Sequence, residues 1–325
     1  MAGSGLVLKK AQRKKAFLRL GVAAPSGAGK TAGSLVLAYG MMKKKYPDLP
    51  DSQLWEKIAI IDSENGSGEL YVNMFFDWCN LKVGEYLAIT LTAPFTAEKY
   101  ISAIDICEKN NVEVVIIDST THLWAGEGGL LEQQNNITLK SKSGNSYMAW
   151  REVTPEHNRF VESMLQANAH IIATIRSKVE YVQSKDENGS VKVTKVGLKP
   201  VQRDGMEYEF TVFLDINENH LCSVSKDRTG LLDGKVFKMK PQIGEDLMDW
   251  LDSGTDAAPT VLADTRTQSD VKGEISAMIS AHPTLKESFR EIFKKYNADG
   301  NPNQLSFDQM KSALAEMQST VKENN

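Results

Sequence analysis

Cysteine is scarce: Cys79, Cys107 and Cys222 are the only three, odd in number and far apart. That excludes a disulfide framework and a thiolate zinc cluster, and it suits a reducing compartment. Histidine is thin as well. His122, His157, His170, His220 and His282 are dispersed, with no pair four residues apart, so each reads as structural rather than as a metal ligand. No run approaches the roughly 18 apolar residues that a membrane span needs. Residues 1–15 lack the apolar core of a signal peptide. A soluble, cytoplasmic protein with no membrane partner is therefore expected. An excess of one charge is also missing, since 38 Lys and Arg face 42 Asp and Glu for a net charge of -4. A protein basic all over is ruled out, but a local basic groove is not.

What is present is an ordinary globular composition, 41% hydrophobic and 25% charged over 325 residues, long enough for a large domain and an appendage. Ala24-Pro-Ser-Gly-Ala-Gly-Lys-Thr31 fits a phosphate-loop pattern, with alanine at its first glycine. An apolar strand pattern precedes it, and a helical one follows through Leu35, Leu37, Ala38 and Met41. In that context the turn Pro25, Ser26, Gly27, Ala28, Gly29, with Lys30, Thr31 and Ala32, wraps a phosphate at a helix N-terminus. Lys30 would reach the β- and γ-phosphates and Thr31 would hold Mg²⁺, so ATP and Mg²⁺ are the expected cofactors.

Two further apolar runs end in acids. Ile58 to Glu64 finishes Asp-Ser-Glu, and Val112 to Ser119 finishes Asp118-Ser119, roughly 90 residues beyond the loop. Unbroken runs of this kind suit a parallel sheet covered on both faces, and the strand ends share the ligand-binding rim. Asp118 is the expected Mg²⁺-orienting acid, and Glu64 the carboxylate that polarises the attacking water; capping of the turn before Gly66 and Gly68 is the plainer role for Glu64. The stretch 121–150 reads as a long polar connection, and Thr154-Pro155 as the start of a helix. His170 to Arg176 is another buried strand, with Thr174, Arg176 and Lys178 at its end near the γ-phosphate. Alternation around Asn188-Gly189 then signals a hairpin. Lys140, Lys142, Arg176, Lys178, Lys185, Lys192 and Lys195 are the DNA-contact candidates, and a plain solvated hairpin fits these residues equally well. Tryptophan and methionine read as core. The expected domains are a basic arm over 1–15, an ATPase domain over 16–252, a linker over 253–269 and a helical module over 270–325. In that module Ser306 and Gln309 form a capping box.

Ile61-Asp62-Ser63-Glu64, seven residues before Tyr71, together with Val115-Ile-Ile-Asp118-Ser119, resembles the RecA-type ATPase core. The resemblance implies a mixed α/β fold with a mainly parallel sheet, Glu64 as catalytic carboxylate and Tyr71 as adenine platform. Lys226-Asp-Arg228-Thr-Gly230 is similar to the loop by which RecA-like hexameric helicases and recombinases insert cations into a neighbour's ATP site. Lys226 and Arg228 would then act in trans within a homo-oligomer, a ring or a filament. Over roughly residues 8–250 the order of motifs looks like that of the phage-encoded annealing ATPases of the Sak group, which are also labelled AAA-family. That implies single-stranded DNA as partner and recombination or annealing as function. A DnaB-like helicase or its loader is the alternative. A nucleotide-dependent scaffold whose C-terminal helices recruit a partner, such as a single-strand-binding protein, is another. Gly68 stands where RecA carries an acid towards adenine, which leaves base selectivity open.

Overall fold

The computed structural model describes residues 10–141, 144–185, 191–255, 268–297 and 299–323, with only the backbone over 179–185, 191–197, 269 and 322–323. The chain divides into two compact units, Met1–Asp256 and Ala257–Asn325. In the first, β1 (Arg19–Ala24) leads through the phosphate loop into α1 (Lys30–Lys45), followed by α2 (Asp51–Trp55) and β2 (Ile58–Asp62). A ribbon of β3 (Phe75–Phe76) and β4 (Leu81–Lys82) precedes β5 (Leu87–Thr90), α3 (Ala97–Lys109) and β6 (Val114–Asp118). Three helices, α4 (Thr120–Ala125), α5 (Leu130–Lys140) and α6 (Ser146–Gln166), then lead to β7 (His170–Lys185), which pairs with β8 (Val191–Pro200). The unit ends with β9 (Val212–Ile216), β10 (Cys222–Asp227), β11 (Val236–Phe237) and α7 (Pro241–Asp252).

The sheet order is β11-β10-β9-β1-β7-β6-β2-β5. From β9 to β5 all neighbours run parallel, while β10 and β11 add antiparallel edges. This is a mixed α/β fold with a mostly parallel central sheet, consistent with a phosphate-loop NTPase core. Its strands read as unbroken apolar runs because both faces are covered. Val22, Ile60, Val114, Ile116 and Ile172 pack under α1 and α7. Their neighbours Ala23, Ile61, Val115, Ile117 and Ala173 pack under α3 and α6. Helix α1 meets α7 through glycines: a Cβ at Gly40 would lie 2.0 Å from the Pro241 carbonyl oxygen, and one at Gly244 2.2 Å from that of Leu37. The helix behind the phosphate loop is thereby clamped from its far side.

Two local expectations fail. The stretch 121–150 is mostly helical, with Trp124 in α4 and α5 spanning Leu130–Lys140. Helix α6 begins at Ser146 rather than at Pro155: Asn145 caps it, its side-chain oxygen accepting from the Tyr147 N–H at 2.9 Å. Pro155 lies inside the helix and costs about 3 kcal/mol there. Burial of Val153, Phe160 and Met164, worth roughly 1.5–3 kcal/mol each, outweighs it. Residues 13 to 15 lie against the end of this unit. Lys15 N–H donates to the Thr255 carbonyl at 3.0 Å, Thr255 N–H to that of Arg13 at 2.9 Å, and the Arg13 guanidinium lies 4.1 Å from the Trp250 ring centre.

The second unit holds α8 (Gln268–Ala281), α9 (Lys286–Tyr296) and α10 (Phe307–Glu323) around Val271, Phe289, Phe293, Met310 and Leu314. Ser306 and Gln309 cap α10 reciprocally: Ser306 N–H donates to Gln309 Oε1 at 2.9 Å, and Gln309 N–H to Ser306 Oγ at 3.4 Å. Among the described residues, no helix is long and apolar enough to cross a membrane.

Candidate active site at the sheet rim

Register brings the expected acids to one rim. Asp62 pairs with Asp118 across β2 and β6, and Ala24 with Arg176 across β1 and β7. The loop after Ala24 turns through Gly27 and Gly29 at φ of 79° and 91°, backbone that other residues rarely adopt. Pro25 and Gly29 are half-buried, Ser26 and Gly27 exposed, and Ala28 and Ala32 buried. The Lys30 ammonium is buried and donates to the carbonyls of Pro25 at 3.2 Å and Ala24 at 3.4 Å. Burial lowers its pKa, and Asp118 and Glu64 partly offset that. A phosphate would offer it a stronger, charge-assisted partner than these carbonyls.

Thr31 Oγ1 donates to Asp118 Oδ2 at 2.5 Å, and Thr174 Oγ1 to Asp118 Oδ1 at 2.5 Å. Burial pushes the Asp118 carboxyl up, against the two hydroxyl hydrogen bonds. A hydroxyl and a carboxylate side by side form the oxygen donor set that suits Mg²⁺. Thr174 reaches the site because β7 lies between β1 and β6, an order that no local pattern encodes.

Glu64 is held differently. Arg176 grips it in a fork, Nε to Oε1 at 2.7 Å and Nη2 to Oε2 at 2.7 Å. Burial pushes the Glu64 carboxyl up, but the hydrogen bonds and charge of Arg176 prevail and leave it below its usual range. Arg176, expected both near the γ-phosphate and as a DNA contact, is thus paired with Glu64. Asp62 shapes the turn: it accepts the N–H groups of Glu64 at 2.5 Å and Gly68 at 2.8 Å. A Cβ at position 68 would stand 3.1 Å from Asp62 Oδ2, so Gly68 belongs to this turn. Behind it lies a network that sequence reasoning missed. Ser63 Oγ donates to the Ser119 carbonyl at 3.0 Å and sits 2.8 Å from His122 Nδ1, and the Tyr100 hydroxyl donates to the same carbonyl at 3.0 Å.

Beside the loop opens a mainly apolar cavity of about 250 Å³, lined by Ala28, Gly29, Tyr71, Trp78, His220 and Met239 among others. Phe76 stacks on Trp78 at 4.3 Å and meets Tyr71 edge-on at 6.0 Å. Trp78 N–H donates to the Met239 carbonyl at 3.1 Å, and His220 Nδ1 lies 3.0 Å from that of Ala28. Tyr71 therefore lines a cavity that opens beside the phosphate loop. Trp78 was expected to be core, yet it is 42% exposed. Its signal was the aromatic spacing Tyr71, Phe76, Trp78.

Lys226 and Arg228 stand at the opposite rim. Asp227 pairs with Val212, which pairs with Leu20 near the start of β1. Lys226 Nζ donates to the carbonyls of Glu207 and Tyr208, and Arg228 Nη2 to that of Tyr208 at 3.4 Å. Neither is brought to its own phosphate loop. Lys140 and Lys178 are exposed. Lys142 and the side chains of Lys185, Lys192 and Lys195 lie outside the described residues.

No curated protein matches the chain. A family model described as an AAA domain matches residues 16–237, the stretch that carries the phosphate loop, both acids, the aromatic rings of the cavity and the parallel sheet. That stretch is more than half of the chain, and the chain belongs to this AAA-domain family.

Proposed function

We propose that this chain binds and hydrolyses ATP and uses the cycle on single-stranded DNA in recombination or annealing, as a homo-oligomer whose sites are completed between subunits. One observation carries the reading: Lys30, Thr31, Asp118 and Glu64 converge on one rim while Lys226 and Arg228 stand at the other. Thr31 and Asp118 would hold Mg²⁺, which supplies charge neutralisation at the β- and γ-phosphates. Lys30 holds the phosphates, Tyr71 and Trp78 stack on the base, and Glu64 orients and deprotonates the attacking water. Lys226 and Arg228 of a neighbour complete the site and stabilise charge on the γ-phosphate. The resemblance to RecA-core annealing ATPases of phages supplies the DNA substrate, and exposed Lys178 at the root of the β7–β8 hairpin fits a polyanion.

The test is the ATP hydrolysis rate against protein concentration, with and without single-stranded DNA, at low and high salt. A steep concentration dependence is expected, with DNA stimulation that fades as salt rises. A rate strictly proportional to protein concentration, with no DNA binding at low salt, would overturn the reading.

A further inference from the structure

The cavity beside the phosphate loop is walled by ring faces and floored by a thioether. Tyr71, Phe76 and Trp78 supply the rings. A Cβ at Gly33 would lie 2.9 Å from Met239 Cγ, so Met239 packs directly on the backbone of α1. Ring faces hold any base, because every base has a π-face. Choice between bases falls to the polar groups that can reach a base edge.

Those groups are few, and several are spent inside the protein. The Trp78 N–H is donated to the Met239 carbonyl at 3.1 Å. His220 stands at a φ of 60° in the β9–β10 turn, where Asn217 Oδ1 accepts the N–H groups of Asn219 at 2.9 Å and Leu221 at 3.0 Å. The turn holds His220 Nδ1 3.0 Å from the Ala28 carbonyl. That oxygen can only accept, so Nδ1 carries the proton, and in the neutral ring Nε2 is left as an acceptor. Lys238 lines the same cavity, is exposed, and can only donate. Among the described residues that line the cavity there is no Asp, Glu, Asn or Gln. The carboxamide that pairs with N6 and N7 of adenine is thus missing, and the cation that pairs with O6 and N7 of guanine is present.

One acceptor and one donor do not choose between the purines. Adenine offers its N6 amine to Nε2 and a ring nitrogen to the ammonium. Guanine offers its N1–H to Nε2 and its O6 to the ammonium.

We propose that the site takes ATP and GTP alike, with Lys238 as the group that admits guanine. This rests on the ATP-hydrolysis reading above and widens its substrate to the purine nucleoside triphosphates.

The experiment measures hydrolysis of ATP and of GTP by the full chain, with Mg²⁺ and a single-stranded oligonucleotide present, for wild type, Lys238→Gln and Trp78→Ala. For wild type, kcat/KM for the two nucleotides should agree within about tenfold. Lys238→Gln installs the side chain that pairs with adenine and should move the ratio towards ATP by about tenfold or more. The change should lie in KM for GTP, with kcat close to wild type. Trp78→Ala should raise both KM values together and leave the ratio where it was. Should Lys238→Gln not fold, Lys238→Met removes the donor and carries the same test. A wild-type preference for either nucleotide beyond about tenfold overturns the proposal and leaves the ATPase reading standing. So does a ratio that Lys238→Gln leaves unchanged, or one that Trp78→Ala moves instead. Hydrolysis of neither nucleotide by wild type overturns the ATPase reading, and the proposal falls with it.

Discussion

The two rims of the central sheet treat their cations in opposite ways. Where β1 ends, Lys30 is buried close to Asp118 and Glu64, and Arg176 is locked onto Glu64 by two charge-assisted bonds. Where β10 ends, Lys226 and Arg228 rest on backbone carbonyls of Glu207 and Tyr208, with Arg228 exposed. A carbonyl is a weaker partner for a guanidinium than a carboxylate or a phosphate. The first rim pairs these cations with carboxylates inside the chain, and Lys226 and Arg228 at the second have only carbonyl partners among the described residues. One rim gathers the groups expected of a nucleotide site, and the proposed function gives the cations of the other to a neighbour's.

The sharpest way to break that contrast is to mix two inactive proteins. Arg228→Ala and Glu64→Gln should each lose most ATP hydrolysis, because a cation supplied in trans is worth on the order of 10³–10⁵-fold. Mixed together they should recover a clear fraction of the wild-type rate, since some junctions then join an intact phosphate loop to an intact Arg228. Recovery of nothing, with co-assembly demonstrated, would put the two rims to unrelated uses. A smaller effect separates base binding from chemistry at the first rim. Trp78→Ala should weaken ATP binding by about 1–3 kcal/mol, the range for one stacked base, with kcat at saturation close to wild type. Titration with a fluorescent ATP analogue reads this directly, and unchanged affinity would remove the aromatic cavity from the site.

An effect on stability alone belongs to the opposite rim. His170 opens β7, and its Nδ1 accepts the Leu18 N–H at 3.0 Å. Burial, with Lys45 and Arg19 nearby, pushes this histidine down to about 3 from an ordinary 6.5. Between those values the unfolded chain takes the proton and the folded chain does not. The stability it contributes is thus fully present above pH 6.5 and drains away as the pH falls towards 3. The loss approaches about 1.4 kcal/mol per pH unit. Denaturant midpoints across pH 7 to 5 should show that slope, reduced in His170→Asn. His157, held at about 4 by burial, keeps a share of it.

The phosphate-loop rim was legible where one short stretch fixes both backbone and chemistry. Ala24 to Thr31 carries its own turn and helix start, and the runs into Asp62 and Asp118 announce buried strands that end in acids. Strand order was not legible, because it follows from how helices pack over the sheet. The positions of Thr174 and Arg176 against Asp118 and Glu64 depend on β7 entering between β1 and β6. Helix α5 was missed because Leu130 is its one buried side chain and Asn and Gln fill much of the rest, leaving little apolar periodicity to read. Pro155 misled because the proline that starts many helices here sits in one that tertiary burial sustains. Trp78 was assigned to the core by residue type alone, which cannot tell a buried ring from one that lines a cleft.

The pairing of Arg13 and Lys15 with Thr255 has a practical consequence. Residues 13 to 15 meet Thr255 near the end of the first unit, joined by backbone hydrogen bonds and closed by Arg13 over Trp250. Ends this near can be spliced by a few residues, so the unit trimmed to residues 13–255 is a natural subject for circular permutation. It also sets where a cut belongs. A fragment stopped at residue 237, where the family match ends, discards α7 and with it the clamp on the helix behind the phosphate loop. A fragment carried through Thr255 keeps both.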